Sequence, residues 1–463
     1  MIYIRKLLAR NWGRFACLSA SIVFLSSDVP AQQSLDNEQS ASVGDRLTLE
    51  QCIQIALQRN TQILISQGNV IVSEAQAYGS MTNVLPRINV SLMNTSKSYL
   101  APRDVFLQDG TFFGTRPSSS TTNVSTGINL NQTIYNGGQS WNIIKQARQN
   151  VKNSNMGVDN TRNLVIGNVR NQYINLLRTI RLKEVTEEQL KLNEEQLRRS
   201  QSMYEIGSVA KVDVLQARAT IGNTRIAIYN QETQVRQAKA SLNTALGRNI
   251  NQSVEIVDVL DPDQVSLPPA PMSVEDAVAV AMSENPALKQ QNGFTTSQRM
   301  AVRINKGALW PTVTGSIGYN RNAQQFGDVY GEFGRNWRWS FGLNVSLSFL
   351  NGTQTLANIQ AAQASLVNAE VSLENVRLNT GLAVKQALLS MEAAREVTQL
   401  SSENILAAEE SMRLAQERYR VGSGTQLDVF TAQLSVFQAK ANLVSAQYDY
   451  KIAEASLNQQ MGR

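Results

Sequence analysis

The chain repeats itself once, and the spacing of the repeat changes at a single place. Thr48-Leu49-Glu50 with Ala56 and Asn60 recurs as Ser273-Val274-Glu275 with Ala281 and Asn285, and Gly68 and Pro86 recur as Gly293 and Pro311, all offset by 225. Downstream, Asn136-Gly137, Gln139, Tyr204, Gly207-Ser208, Asp213-Val214 and Ala217 recur as Asn351-Gly352, Gln354, Tyr419, Gly422-Ser423, Asp428-Val429 and Ala432, and Gly247-Arg248 returns as Gly462-Arg463, all offset by 215. The ten-residue difference therefore lies between Pro86 and Asn136. Length changes of this kind are absorbed in exposed loops rather than in packed elements. A period this long signals duplication of a whole substructure, not a short solenoid module.

Residues 1–31 read as a signal peptide. Arg5, Lys6, Arg10 and Arg14 form a basic start, Phe15 to Leu25 an apolar run too short to span a bilayer, and Val29-Pro30-Ala31 a cleavage site. A flexible segment, 32–46, follows. After cleavage the chain is only mildly basic, with its cations scattered among acids, which argues against nucleic acid as a partner. One cysteine remains, Cys52, on a helical apolar pattern with Leu49, Ile53 and Ala56, and a buried structural thiol is expected. The chain has no histidine at all. That removes the commonest general base and the commonest transition-metal ligand. No phosphate loop, nucleophile elbow or paired carboxylates appear, so the reading is of a non-enzyme without cofactor or metal.

No proline occurs between Pro117 and Pro262, or after Pro311. Within those spans, 139–203 and 354–418 read as continuous helices of about 65 residues, rods of roughly 100 Å. The helix after each rod carries a seam spaced four and three: Ala432, Val436, Ala439, Leu443, Ala446, Tyr450, Ala453 and Leu457, with counterparts Ala217, Ile221, Thr224, Ile228, Gln231, Val235, Ala238 and Leu242. A strict 3.5-residue period implies supercoiling against neighbours.

After Pro86 and Pro311 the period becomes two, giving hairpins over about 87–135 and 312–350. Trp337, Trp339, Phe341, Leu343, Val345, Leu347 and Phe349 alternate with Arg338, Ser340, Gly342, Asn344, Ser346 and Ser348. Val124, Thr126, Ile128, Leu130 and Ile134 alternate with polar residues in the first unit, and Ile88, Val90, Leu92 and Val313, Ile317, Tyr319 lie on the partner strands. This is the pattern of transmembrane β-strands, with Trp339, Phe341, Leu343, Val345 and Leu347 facing outer-membrane lipid. Only four strands are expected. Four cannot close a barrel, and open edges are not tolerated in hydrocarbon, so copies of the chain must complete it. The tips, Ser98–Thr122 and Arg321–Asn336, would absorb the length difference.

The duplicated order of proline-ended helix, hairpin, long helix, tight Gly-Ser turn and returning helix resembles the TolC family of outer-membrane channels. YEIGSVAKVDVLQARA (204–219) and YRVGSGTQLDVFTAQ (419–433) are similar to its periplasmic-tip signatures, and LTLEQCIQIALQRN (47–60) and SVEDAVAVAMSENP (273–286) to its short helices. The resemblance implies a mainly α fold with a small β part. Its duplicated units, 47–248 and 272–463, would join through an equatorial linker, 249–271, in which Val254, Ile256 and Val259 add a short strand. Three protomers would form a twelve-stranded β-barrel continuous with a twelve-helix α-barrel. It further implies a passive exit duct of a tripartite efflux pump or type I secretion system, working with an inner-membrane transporter and a periplasmic adaptor (membrane fusion) protein. The alternative from the residues themselves is a non-conducting coiled-coil tether.

The tip turns, 204–214 and 419–429, carry two readings. Glycine suits a chain reversal, and Asp213 and Asp428 at the start of the returning helices suit capping. The family resemblance adds that Asp213, Tyr419 and Asp428 match a closing network and acidic ring, and that Gly207, Ser208, Val421, Gly422 and Ser423 match adaptor-contacting tips. Two departures stand out. The family type member has arginine at the position of Gly424 and aspartate at that of Thr431, which leaves Lys211 as a candidate substitute donor.

Overall fold

The computed structural model describes residues 46–258, 267–269, 272–331, 334–348 and 353–463. The expected signal peptide, most of Asp261–Pro271, Val259, Phe349 and Asn351-Gly352 lie outside the described residues. Two short helices open each repeat: α1 (Leu49–Arg59) and α2 (Thr61–Ser80), then, past the first hairpin and rods, α5 (Val274–Glu284) and α6 (Pro286–Gly307). Strand β1 (Arg87–Leu100) follows α2, and a small ribbon of β2 (Arg103–Phe106) and β3 (Phe112–Arg116) leads to β4 (Ser119–Asn136). The first rod pair is α3 (Gln139–Glu205) and α4 (Lys211–Leu246). In the second repeat β5 (Thr312–Ala323), α7 (Phe326–Tyr330) and β6 (Trp337–Ser346) lead to α8 (Gln354–Arg420) and α9 (Gln426–Met461).

The duplication is structural to the residue. Shifted by 225, α1 falls on α5; shifted by 215, α3 falls on α8 and α4 on α9, with identical bounds. The repeats nevertheless do not stand apart. β4 pairs with β5 across them, α3 packs on α6 and α9, and residues 46–463 form one unit. The reason is burial: neither short, strongly amphipathic helix pair nor two-stranded hairpin can cover its apolar face alone.

Local chemistry sets the helix starts. Thr48 and Gln51 form a capping box at α1, and Ser273 accepts the Asp276 amide at α5. Asn60 and Asn285 each end one helix and cap the next, and Pro286 occupies the first turn of α6. Each of these asparagines also donates to the last turn of the returning helix of its own repeat, Asn60 to Ala245 at 2.9 Å and Asn285 to Gln460 at 2.8 Å. The first rod begins after Gly137 and Gly138, both at positive φ, where a Cβ at Gly137 would collide with the Gly307 carbonyl.

The main sheet is antiparallel in the order β1-β4-β5-β6. The expectation of four strands holds for this sheet but not for the chain, since the longer first tip folds into β2–β3 and the shorter second tip into α7. Two apolar cores sit where α1 and α5 meet the rods. One gathers Cys52, Ala56, Ile63, Val165, Val169, Tyr173, Leu176 and Leu242, the other Ala277, Ala281, Val384, Leu388, Met391, Tyr450 and Leu457. Along α9 the expected seam is buried except at Leu443, which is half-buried. The expected strand of the linker reduces to an isolated parallel bridge between Leu47 and Ile256.

Candidate functional site: sheet faces and helix tips

Cross-strand register divides the sheet into two chemically distinct faces. Trp339 lies opposite Tyr319 with ring centroids 5.1 Å apart, Phe341 opposite Ile317, and Val345 opposite Val313. Ile317 in turn meets Leu130, and Leu130 meets Ile88. These form one apolar face, and Trp339, Phe341, Leu343 and Val345 are each more than half exposed on it. The opposite face carries Asn129, Asn131, Ser316, Asn320, Ser340 and Asn344, and the Asn320 amide donates to Asn129 at 3.4 Å. Leu347, expected on the lipid-facing strand, falls just past its end at Ser346. Val124, expected on the exposed apolar face, is buried, because α7 folds back against β4 and β5 with Val329 fully buried. The Tyr330 hydroxyl of α7 donates to the Leu92 carbonyl. Among the described residues both outer strands, β1 and β6, keep one unpaired edge. Among the described residues no helix is long and apolar enough to cross a membrane.

At the far ends of the rods the two turns share one geometry. The Ser208 amide donates to Met203 O at 2.8 Å and the Gly207 amide to Tyr204 O; the Ser423 amide donates to Arg418 O at 2.9 Å and the Gly422 amide to Tyr419 O. This double bond closes a helix C-terminus only when the residue after the cap is left-handed, and Gly207 (φ 77°) and Gly422 (φ 76°) are. The Gly-Ser steps thus have a complete backbone reason. The turns also expose apolar side chains: Val421 is 70% exposed and its repeat counterpart Ile206, which the motif reading passed over, 80%. The offset of 215 already paired them.

The two aspartates, equivalent by repeat, are used differently. Thr425 caps α9 and accepts the Asp428 amide, while the Asp428 carboxylate accepts the Thr425 amide at 2.8 Å. Those bonds, with Arg418 nearby, hold the Asp428 carboxyl below its ordinary range. At α4 the capping position is Ala210, without a side-chain bond, and the Asp213 carboxylate makes no hydrogen bond or ion pair among the described residues. Capping therefore explains Asp428 and not Asp213. Asp213 instead acts on Tyr419 in the last turn of α8: burial, then the Asp213 charge, push that phenol above its usual range. The Tyr419 oxygen is buried, no hydrogen bond of ordinary geometry reaches it, and it lines a cleft of about 490 Å³ with Gln196, Ser202 and Val429. The Asp213 charge is thus felt at Tyr419, while the Asp428 carboxylate is held by Thr425 with Arg418 nearby. Among the described residues Lys211 makes no ion pair within the chain, and Arg418 is a cation near Asp428.

Between the tips and the cores, buried polar pairs join the apolar contacts of the seam. The Asn193 amide donates to the Thr224 hydroxyl at 2.9 Å and the Gln426 amide to the Ser200 hydroxyl at 3.0 Å, all four buried. At the equator, sequence inspection missed a clamp on the linker. Arg181 of α3 pairs with Asp258 at 2.7 Å, the Tyr448 hydroxyl of α9 donates to the same carboxylate, and the Tyr173 hydroxyl reaches the carbonyls of Leu47 and Val257. Burial pushes the Tyr173 phenol up to about 12.

A family profile described as outer membrane efflux protein matches residues 52–248 and 278–463, which are the two repeats. The chain belongs to that family. The outer membrane efflux protein BepC of Brucella suis is 25% identical over 340 residues, 73% of this chain and 72% of that protein. Outer membrane protein TolC of Vibrio cholerae is 22% identical, covering 96% of this chain and 94% of its own length. Among solved structures, the outer membrane protein VceC of Vibrio cholerae superposes with a TM-score of 0.76 at 15% identity, over 89% of this chain and 96% of that one. CusC gives 0.76 at 19% identity, over 89% and 91%. The mainly helical fold with its small sheet is the fold of these channels.

Proposed function

We propose that three copies of this chain close one barrel in the outer membrane and form the passive exit duct of a tripartite efflux pump or type I secretion system. The observation that carries this is the four-stranded sheet with an exposed apolar face and two open edges. In hydrocarbon each unpaired backbone group is costly, and only a closed barrel removes every edge. A second feature points the same way. Leu356, Val367, Leu378, Leu389 and Leu400 of α8 are each more than half exposed, at intervals of eleven residues. That period gives a straight or slightly right-handed stripe about 66 Å long, suited to a neighbouring helix of another copy. The efflux family and relatives support a conducting duct over a tether. The inner-membrane transporter and periplasmic adaptor are the partners of this reading, with Gly207, Ser208, Val421, Gly422, Ser423 and the added Ile206 as the adaptor-facing tips. Asp213, Tyr419 and Asp428 form the periplasmic gate.

Mass measurement in detergent together with planar-bilayer conductance tests the reading. A conducting trimer is expected; a stable monomer, or oligomers that never conduct, would overturn it. Arginine at Leu343 or Val345 should impair assembly, at about 2–4 kcal/mol near the bilayer midplane, whereas arginine at Asn344 should be tolerated.

A further inference from the structure

The four strands of the main sheet contain no aspartate or glutamate and four cations: Arg87, Lys97, Arg321 and Arg338. Register assigns them to faces. Lys97 pairs with Thr122 and stands over the Tyr99 ring, and Arg321 pairs with Thr126 and Trp337, so both belong to the apolar face near its upper rim. Arg87 pairs with Asn131, and Arg338 with Asn320, so both belong to the polar face. Both polar-face arginines are exposed, and neither makes an ion pair or side-chain hydrogen bond among the described residues. Following the rows across the sheet, Arg338 aligns with Asn320, Gly127 and Ser91, four residues along β1 from Arg87. At about 3.3 Å per residue the two arginines lie roughly 13 Å apart along the strands. Every other side chain on that face is an amide, a hydroxyl or a glycine hydrogen, apart from the strand ends.

We infer that Arg87 and Arg338 set the charge selectivity of the barrel segment, favouring anions and anionic groups of cargo. The inference rests on the duct reading, since closure turns the polar face inward and makes each arginine a ring of three. A ring of like charges in a pore bounded by low-dielectric walls focuses its field along the axis. With no carboxylate on the same face to neutralise it, the lumen is positive at two heights. The ligand class is defined by this chemistry: carboxylate-, sulfonate- or phosphate-bearing solutes pass this segment more readily than cations of equal size.

The test is reversal potential across planar bilayers under a KCl gradient, at low ionic strength where screening is weak. Four proteins are compared: the intact chain, Arg338→Gln, Arg87→Gln and Arg338→Glu. Arg338→Gln should lower the chloride-to-potassium permeability ratio by about twofold, and Arg338→Glu should lower it further, as expected of a charge acting by Coulomb attraction. Arg87→Gln should act in the same direction. Conducting trimers whose ratio is unchanged in all three variants would overturn this inference and leave the duct standing. Absence of any conductance in the intact chain would instead overturn the duct. Arg338 lies on an exposed strand face, so its variants keep the test decisive if Arg87→Gln fails to assemble.

Discussion

On α3 and α8 the equator and the tip of the rods pack differently, although the returning helices α4 and α9 bury apolar residues such as Val214, Ile221, Val429 and Val436 at the tip end as well. Near the equator α3 buries Val165, Val169, Tyr173, Leu176 and Leu177; towards the tip it buries Asn193, Gln196 and Ser200. On α8 burial stops altogether beyond Ser401, while Leu406 and Leu414 stand exposed. Apolar burial is non-directional and costly to undo, about 25 cal/mol for each Å² re-exposed. A buried pair such as Asn193–Thr224 contributes a net of only about 0.5–1.5 kcal/mol, because water replaces the bond when the helices part. On α3 the equatorial contacts are therefore the costlier to undo, while at the tip the apolar burial falls to α4 and α9.

The largest test of that contrast is a pair of truncations. Leu176→Ala at the equator should cost about 2–5 kcal/mol of stability by chemical unfolding. Gln426→Ala at the tip should cost about 1 kcal/mol, through the lost bond to Ser200. Equal costs would erase the distinction. The linker clamp comes next. Asp258→Asn removes one of the two carboxylates on Arg181, leaving Glu184, and should cost about 1–2 kcal/mol, a range that allows for partial solvent screening. Hydrogen exchange at residues 254–258 should then rise without loosening the tip.

A smaller effect separates the two turns themselves. Thr425→Ala removes the capping box and should destabilise the start of α9 by about 1 kcal/mol, whereas Ala210→Ser should stabilise α4 by a similar amount. Local exchange rates at the two turns read both changes. The Asp428 share of that box is present above its unfolded pKa and lost as pH falls below it, because its folded pKa is lowered. The smallest effect concerns Cys52. Burial raises its thiol to about 11 from 9.0, so the unfolded chain ionises first and stability should decline between pH 9 and 11. At pH 8 maleimide should label Cys52 only on unfolding, but label an Ile206→Cys variant at once.

How much of this was legible beforehand follows from the range of each interaction. The repeat offsets located every long helix, since 3.6- and 3.5-residue periods are local and α3 and α8 are uninterrupted. The alternation from Trp337 onward located β6 and its apolar face for the same reason. The tips, β2–β3 and α7, carry no such period, and their form depends on what they fold back upon. Thr425 with Asp428 is a visible capping box, yet attention to the aspartates as caps in themselves hid the fact that Ala210 breaks the symmetry. The clamp could not be read at all. Asp258, Arg181, Tyr173 and Tyr448 are individually ordinary and meet only because the chain crosses the rods at Leu47 and Ile256.

The open edges of β1 and β6 have a consequence for the cell rather than for the finished channel. In the proposed trimer the half-ladders of β1 and β6, unpaired among the described residues, are satisfied by neighbouring copies, so folding in the membrane is subject to mass action. Such an edge also accepts the wrong strand as readily as the right one. If the proposed trimer forms, the yield of closed barrel should therefore depend on protomer concentration at the moment of insertion, more steeply than for a barrel closed within one chain.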